Sequence, residues 1–181
     1  MRWERLFDDL EAQWDAAEQE DLRAEVADRT RRETARLRLV DRLRGNQGRT
    51  VALDLPGAHV RGALTRVGAD WVLLSPGQQA QVVVPLAAVV AVHGLTGRAA
   101  EPGSEGLVAA RLGLGHVLRA LARDRAHVSV ESVDGSRRWG RVERVGADHL
   151  ELATSEPGEA STASVYVAFA GIRAVHAAAH D

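Results

Sequence analysis

The chain has 181 residues, 45% of them apolar and 27% charged, with a formal net charge of −2. Such a composition belongs to an ordinary globular protein of one or two compact domains, and the lack of cysteine excludes both a disulfide framework and a thiolate metal site. All 23 basic residues are arginine, a usage that points to a high-GC bacterial genome rather than to special guanidinium chemistry.

Residues 2–44 contain no Gly or Pro and are rich in Ala, Leu, Glu, Gln and Arg, which predicts one long, charged amphipathic helix over residues 1–44. At ~1.5 Å per residue it would reach roughly 60 Å, too far to pack along one small domain. Trp3, Phe7, Leu10, Trp14 and Ala17 recur at helical spacing and form an apolar stripe. The stripe fades over 18–36 and resumes at Leu37, Val40 and Leu43. Residues 1–28 carry ten acids against three arginines, and residues 29–49 carry eight arginines against two acids. Two antiparallel copies would set acidic half against basic half, so a homodimer through this helix is expected. The competing reading is a monomer whose aromatic end docks on its own barrels. The Met1-Arg2-Trp3-Glu4 start leads into acidic residues rather than an apolar core, so no secretory signal is expected. The longest charge-free run, 71–97, holds Pro76 and Pro85 and reads as strands, so a cytoplasmic chain without a membrane span is expected.

Residues 45–95 predict a first small five-stranded barrel. Val51, Leu53 and Leu55 alternate with Thr50, Ala52 and Asp54 as in a half-buried strand. Strands at 59–67, 71–75, 80–84 and 89–93 follow, separated by turns at Pro56-Gly57, Gly68-Ala69-Asp70 and Pro85 to Ala88. Residues 96–123 form a linker and a short helix, which begins near His116. Residues 124–181 repeat the first barrel, with strands at 127–133, 137–145, 149–154, 163–167 and 172–176.

The duplication is explicit. Arg66-Val67-Gly68-Ala69-Asp70 returns as Arg144-Val145-Gly146-Ala147-Asp148, and Gly57 and Gly62 meet Gly135 and Gly140 at the same offset of 78. At an offset of 83, Val82, Val84, Leu86, Val89, Val92 and His93 meet Val165, Val167, Phe169, Ile172, Val175 and His176. The five extra residues fall in the loop-forming run 155–161. Upstream, Val40 and Leu43 face Leu118 and Leu121. The expected fold class is therefore α+β: a long N-terminal helix, then two closed barrels.

Val60-Arg61-Gly62-Ala63-Leu64, the strand pair around 68–74 and the Val84-Pro85-Leu86 turn, with a helix before the first strand, resemble the Sm-like and SH3-like small barrels. Asp134-Gly135 followed by Gly140-Arg141-Val142 is similar to a PRC-type barrel. The resemblance covers about 50 residues per copy. It implies a small-barrel fold but not RNA binding, because the Sm-like uridine-reading residues and the Arg-Gly pair of the last strand have no counterparts here.

The copies differ where side chains point outward: Trp71, Leu73 and Val90 stand where the second copy has His149, Glu151 and Arg173. An apolar outer face marks a covered surface, either against the second barrel or a helix or against a separate protein partner. Trp3, Phe7, Leu10, Trp14, Trp71, Leu73 and Val90 are accordingly the expected interaction surface. Arg137, Arg138, Trp139 and Arg141 put cations beside an aromatic, a combination that can contact phosphate and stack on bases. With the arginines of 29–44 they carry the alternative reading, a nucleic-acid-binding regulator. His176 and His180, with Asp181, have a spacing seen in metal sites, but no further ligand adjoins them and no metal is expected. Gly113-Leu114-Gly115 lacks the third glycine of a dinucleotide loop, and no nucleophile and base are placed together, so neither a cofactor nor catalysis is expected. The function expected from sequence is a non-catalytic interaction or scaffold module.

Overall fold

The computed structural model describes residues 2–77, 80–104, 112–154 and 163–177, with side chains described at Trp14, Gln19 and Glu20 and from Leu22 onward. The chain divides into two compact units, residues 1–38 and 39–181. The first is the helix α1 (Arg2–Arg36). The expected single helix through residue 44 is interrupted: Leu37 and Arg38 are non-helical, and α2 (Leu39–Arg44) begins a new segment. No Gly or Pro announces this break. Its physical reason is packing, since Val40 and Leu43 of α2 are buried in the second unit.

Among its described residues that unit carries ten strands in chain order: β1 (Thr50–Leu55), β2 (Ala58–Val67), β3 (Trp71–Ser75), β4 (Val82–Pro85) and β5 (Ala91–His93), then helix α3 (Leu114–Arg123), then β6 (His127–Ser132), β7 (Arg137–Val145), β8 (His149–Thr154), β9 (Ala163–Ala168) and β10 (Ile172–Ala177). The two closed barrels expected from sequence are not formed. All ten strands join one antiparallel sheet, in the order β5-β1-β2-β3-β4-β10-β6-β7-β8-β9, which is open at β5 and β9. Closure of the first half would require β4 to pair with β5. Instead β4 pairs with β10, at Val83↔Val175 and Val82↔His176, and Ala177 N–H donates to the Gln81 carbonyl.

This seam follows from side-chain alternation, which sends successive residues of a strand to opposite faces. Val82 and Val84 enter a first core with Leu43, Val51, Leu53, Leu64, Val72 and Leu74, while Val83 between them enters the second. Ala174 of β10 likewise joins the first core, and Ile172 and Val175 the second, with Leu118, Val130, Leu150 and Leu152. A strand apolar on both faces belongs inside a sheet rather than at its edge. Val82-Val83-Val84 reads that way, whereas its counterpart Val165-Tyr166-Val167 does not.

The repeated pentapeptide is a hairpin turn with the same backbone bonds in both halves. Gly68 N–H donates to the Trp71 carbonyl and Gly146 N–H to that of His149, while the Asp70 and Asp148 carbonyls accept from Leu86 and Phe169. The ring of Trp71 or His149 lies where a Cβ on Gly68 or Gly146 would be, which explains both glycines. An arginine of the preceding helix closes each turn: Arg44 Nη2 donates to the Gly68 carbonyl and Arg119 Nη2 to that of Gly146, at 3.2 and 3.0 Å. Matched through these arginines, Leu43 corresponds to Leu118, both fully buried, rather than to Leu121.

Candidate functional site

Strand registers reveal a duplicated feature that the sequence alignment obscures. Asp54 in β1 lies opposite His59 and Ala91, and Glu131 in β6 lies opposite Arg137 and Ala174. The two carboxylates are therefore equivalent at an offset of 77, because the second β-turn holds one more residue than the first. Each is flanked by the imidazole of the last strand of its half.

The environments differ. Asp54 Oδ1 is 2.7 Å from His59 Nδ1 and Oδ2 is 2.7 Å from His93 Nε2, on the exposed side of the sheet. Hydrogen bonds from His93 and then His59 hold the Asp54 carboxyl below its ordinary range. Glu131 is buried. Its Oε2 accepts from Arg173 Nη2 at 3.0 Å, its Oε1 is paired with Arg137 Nη2, and His176 Nε2 lies 3.2 Å from Oε1. Burial pushes the Glu131 carboxyl upward, but the bonds from Arg173 and Arg137 and the neighbouring positive charge outweigh it and hold the carboxyl low. For His176 burial comes first and depresses its pKa, with Arg137 and Arg173 adding to the effect against the pull of Glu131. Arg173 also donates from Nη1 to the Pro56 carbonyl at 2.8 Å, so this cluster ties the second half to the first β-turn of the first half.

The lowered values of Glu131 and His176 act in one direction with pH. A carboxyl whose folded pKa is depressed stabilises the fold above its unfolded value, near pH 4.3, and that contribution is lost as pH falls through the folded value. A histidine with a depressed pKa takes up its proton later in the folded chain than in the unfolded one, so stability falls from about pH 6.5 downward. The Tm is expected to decline steadily on acidification from pH 7, and His176→Gln should flatten the limb just below pH 6.5. Thermal unfolding at a series of pH values reads this; an unchanged slope in the variant would contradict the assignment.

The sequence-derived interaction residues fall into three groups. The side chains of Trp3, Phe7 and Leu10 lie outside the described residues, and Trp14 is exposed. Trp71 is buried and Leu73 half-buried, in the second core with Leu114, Leu118 and Val83, so the apolar outer face of the first half is covered within the chain. Trp71 Nε1 donates to the Leu112 carbonyl at 2.8 Å, and Asp70 Oδ1 accepts the Leu114 N–H at 2.7 Å at the start of α3. Asp70 thus caps the start of α3. Val90 stands exposed beside the open edge strand β5.

On β7, Arg137 is occupied by Glu131 and Arg141 by Glu143, and Arg138 Nη1 donates to the Ser132 and Ser136 hydroxyls. Trp139 is exposed, with the Arg137 guanidinium 5.9 Å from its ring centroid. Of the arginines in 29–44, Arg29, Arg31, Arg32 and Arg44 have carboxylate partners on the same helix, and Arg42 donates to the Gly97 carbonyl. His180 and Asp181 lie outside the described residues, and among the described residues no group of three His, Asp or Glu could hold a metal ion. A cavity of about 560 Å³ opens beside the seam, its lining including Trp71, Leu73, Val83, Val117, Leu121 and Val175 together with Arg66 and Arg123. Among the described residues no helix is long and apolar enough to cross a membrane.

No protein-family model matches the chain, and no curated protein matches it. The two open strand edges and the duplicated carboxylates are the features that sequence reading missed. The signals for them were the loss of apolar continuity between Val82–Val84 and Val165–Val167, and the acid conserved between Asp54 and Glu131 once the longer second turn is allowed for.

Proposed function

We propose that this chain is a non-catalytic, cytoplasmic interaction or scaffold module that associates with a second copy of itself through α1. The observation that carries the reading is that Trp14, Leu22 and Val26 stand exposed along a 35-residue helix whose acids precede its arginines. Their spacing places them within about a third of the helix circumference, and antiparallel copies join the acidic part of each helix to the basic part of the other. The pairs Arg29–Glu33 and Arg32–Asp28, at 3.0 and 2.8 Å, hold the last turns in helical form.

In the full chain, replacing Trp14, Leu22 and Val26 together by Glu is expected to weaken self-association at least tenfold, read by sedimentation velocity. An unchanged mass in the variant removes helix pairing. The second reading, nucleic-acid binding, is supported by the exposed Trp139 with a guanidinium beside its ring. If it holds, anisotropy of a labelled oligonucleotide should rise with protein at low salt and fall steeply as salt is added. The ion pairs of Arg137 and Arg141 favour the scaffold reading.

A further inference from the structure

We infer that β9 of one chain pairs with β5 of a second copy, repeating between molecules the β4–β10 seam that joins the two halves within one. The inference goes beyond α1 and rests on the sheet alone. At the repeat offset of 83, β9 is the counterpart of β4, and β5 is the counterpart of β10. The seam thus uses one copy of each strand, and the other copies are the two open edges of the sheet. Each molecule displays both partners of a contact it already contains.

Exposure at matched positions follows the same logic. Val83 in the seam is 8% exposed, whereas Tyr166 in its place on β9 is 65% exposed. Val175 is buried, while Val92 is only half-buried against the first core. Arg173, 8% exposed, reaches across the seam to Pro56 in the β1–β2 turn; its counterpart Val90 is 72% exposed. The turn that would face Val90 in a second copy is the one between β6 and β7, where Val133 is also exposed. An apolar contact there would replace the arginine-to-carbonyl bond. In the matched register Tyr166 lies opposite Val92 and Val165 opposite His93, so Tyr166 would close the first core as Val83 closes the second. Unpaired strand edges template such pairing, and because the two edges differ, the contact is heterologous and closes a ring or continues as a filament.

The test separates this contact from helix pairing by starting from the full chain with Trp14, Leu22 and Val26 replaced by Glu. Its weight-average mass is expected to rise with concentration above the 19.5 kDa of one chain. Val90→Lys or Tyr166→Lys, both at exposed positions, should each abolish that rise. An equimolar mixture of the two should recover a dimer, because one chain keeps an intact β5 and the other an intact β9. Circular dichroism of each variant checks that it folds. An independent readout uses the lack of native cysteine: Val92→Cys with Tyr166→Cys in one chain should give a disulfide-linked ladder on oxidation, and a mixture of the two single variants should give dimers only. A mass that stays at one chain, or a mixture that does not associate, overturns the inference, as does Tyr166→Cys alone cross-linking to itself. Self-association that is the same in the parent and in the triple Glu chain, with the edge contact intact, would count against the scaffold reading through α1 and leave this inference standing.

Discussion

Replacing Glu131 by Gln is expected to destabilise residues 39–181 by about 3–5 kcal/mol, on the order of 10 °C in Tm. The variant keeps the size of the side chain but removes the carboxylate that pairs with the buried Arg173 among the described residues, where the other Arg173 bond is to the Pro56 carbonyl. A buried pair contributes little net stability, because desolvation offsets its attraction, yet an unpartnered buried charge is costly. The ordering of variants follows. Arg173→Val, which installs the residue found at the matching position in the first half, leaves Glu131 with Arg137 and His176 and should cost less than Glu131→Gln. The double variant Glu131→Gln/Arg173→Val should recover much of the loss. Asp54→Asn, at the equivalent but exposed cluster, should change stability far less than Glu131→Gln. Urea unfolding of the five chains reads these differences, and a Glu131→Gln chain no less stable than Asp54→Asn would show that the buried cluster does not hold the seam.

The parts of this fold that were legible in the sequence are those set by short-range periodicity. Val51, Leu53 and Leu55 predict β1 and its buried face, and the repeated Arg-Val-Gly-Ala-Asp predicts two identical hairpins. The outward position of Trp71 and Leu73 was also readable, and their burial against α3 and the second half follows from it. What sequence did not show depends on partners far apart in the chain. Whether β4 meets β5 or β10 is decided by which core Val83 and Ala174 can enter; the apolar run Val82-Val83-Val84 marks β4 as an interior strand without naming its partner. The end of α1 escaped for a related reason, since helix propensity continues smoothly through Leu37 and only the burial of Val40 and Leu43 marks the new segment. The single extra residue in the second β-turn was enough to hide the match of Asp54 with Glu131, because side chains alternate with every residue and a shift of one exchanges the faces of a strand.

The hairpin of the first half makes the most specific claim on its sequence. Trp71 is 7% exposed and packs with Leu114 and Leu118 from beyond the seam, so Trp71→Ala is expected to cost about 3–5 kcal/mol through lost burial and the cavity left behind. Trp139→Ala, at a residue 58% exposed, should stay within about 0.5 kcal/mol of the parent. The coupling to Gly68 is sharper than either number. A Cβ at Gly68 would collide with the indole of Trp71 and with no backbone atom among its nearest contacts, so Gly68→Ala should destabilise the parent chain by about 1–3 kcal/mol. In the Trp71→Ala background the obstacle is gone and the same substitution should be nearly neutral, leaving a double-mutant coupling of about 1–3 kcal/mol. If instead the two costs simply add, Gly68 is required by its backbone conformation rather than by the ring above it. The second half supplies the parallel case, because the ring over Gly146 belongs to His149, which is half-exposed and can turn aside. Gly146→Ala should therefore cost less than Gly68→Ala, and the difference would measure how firmly docking across the seam holds Trp71 in place.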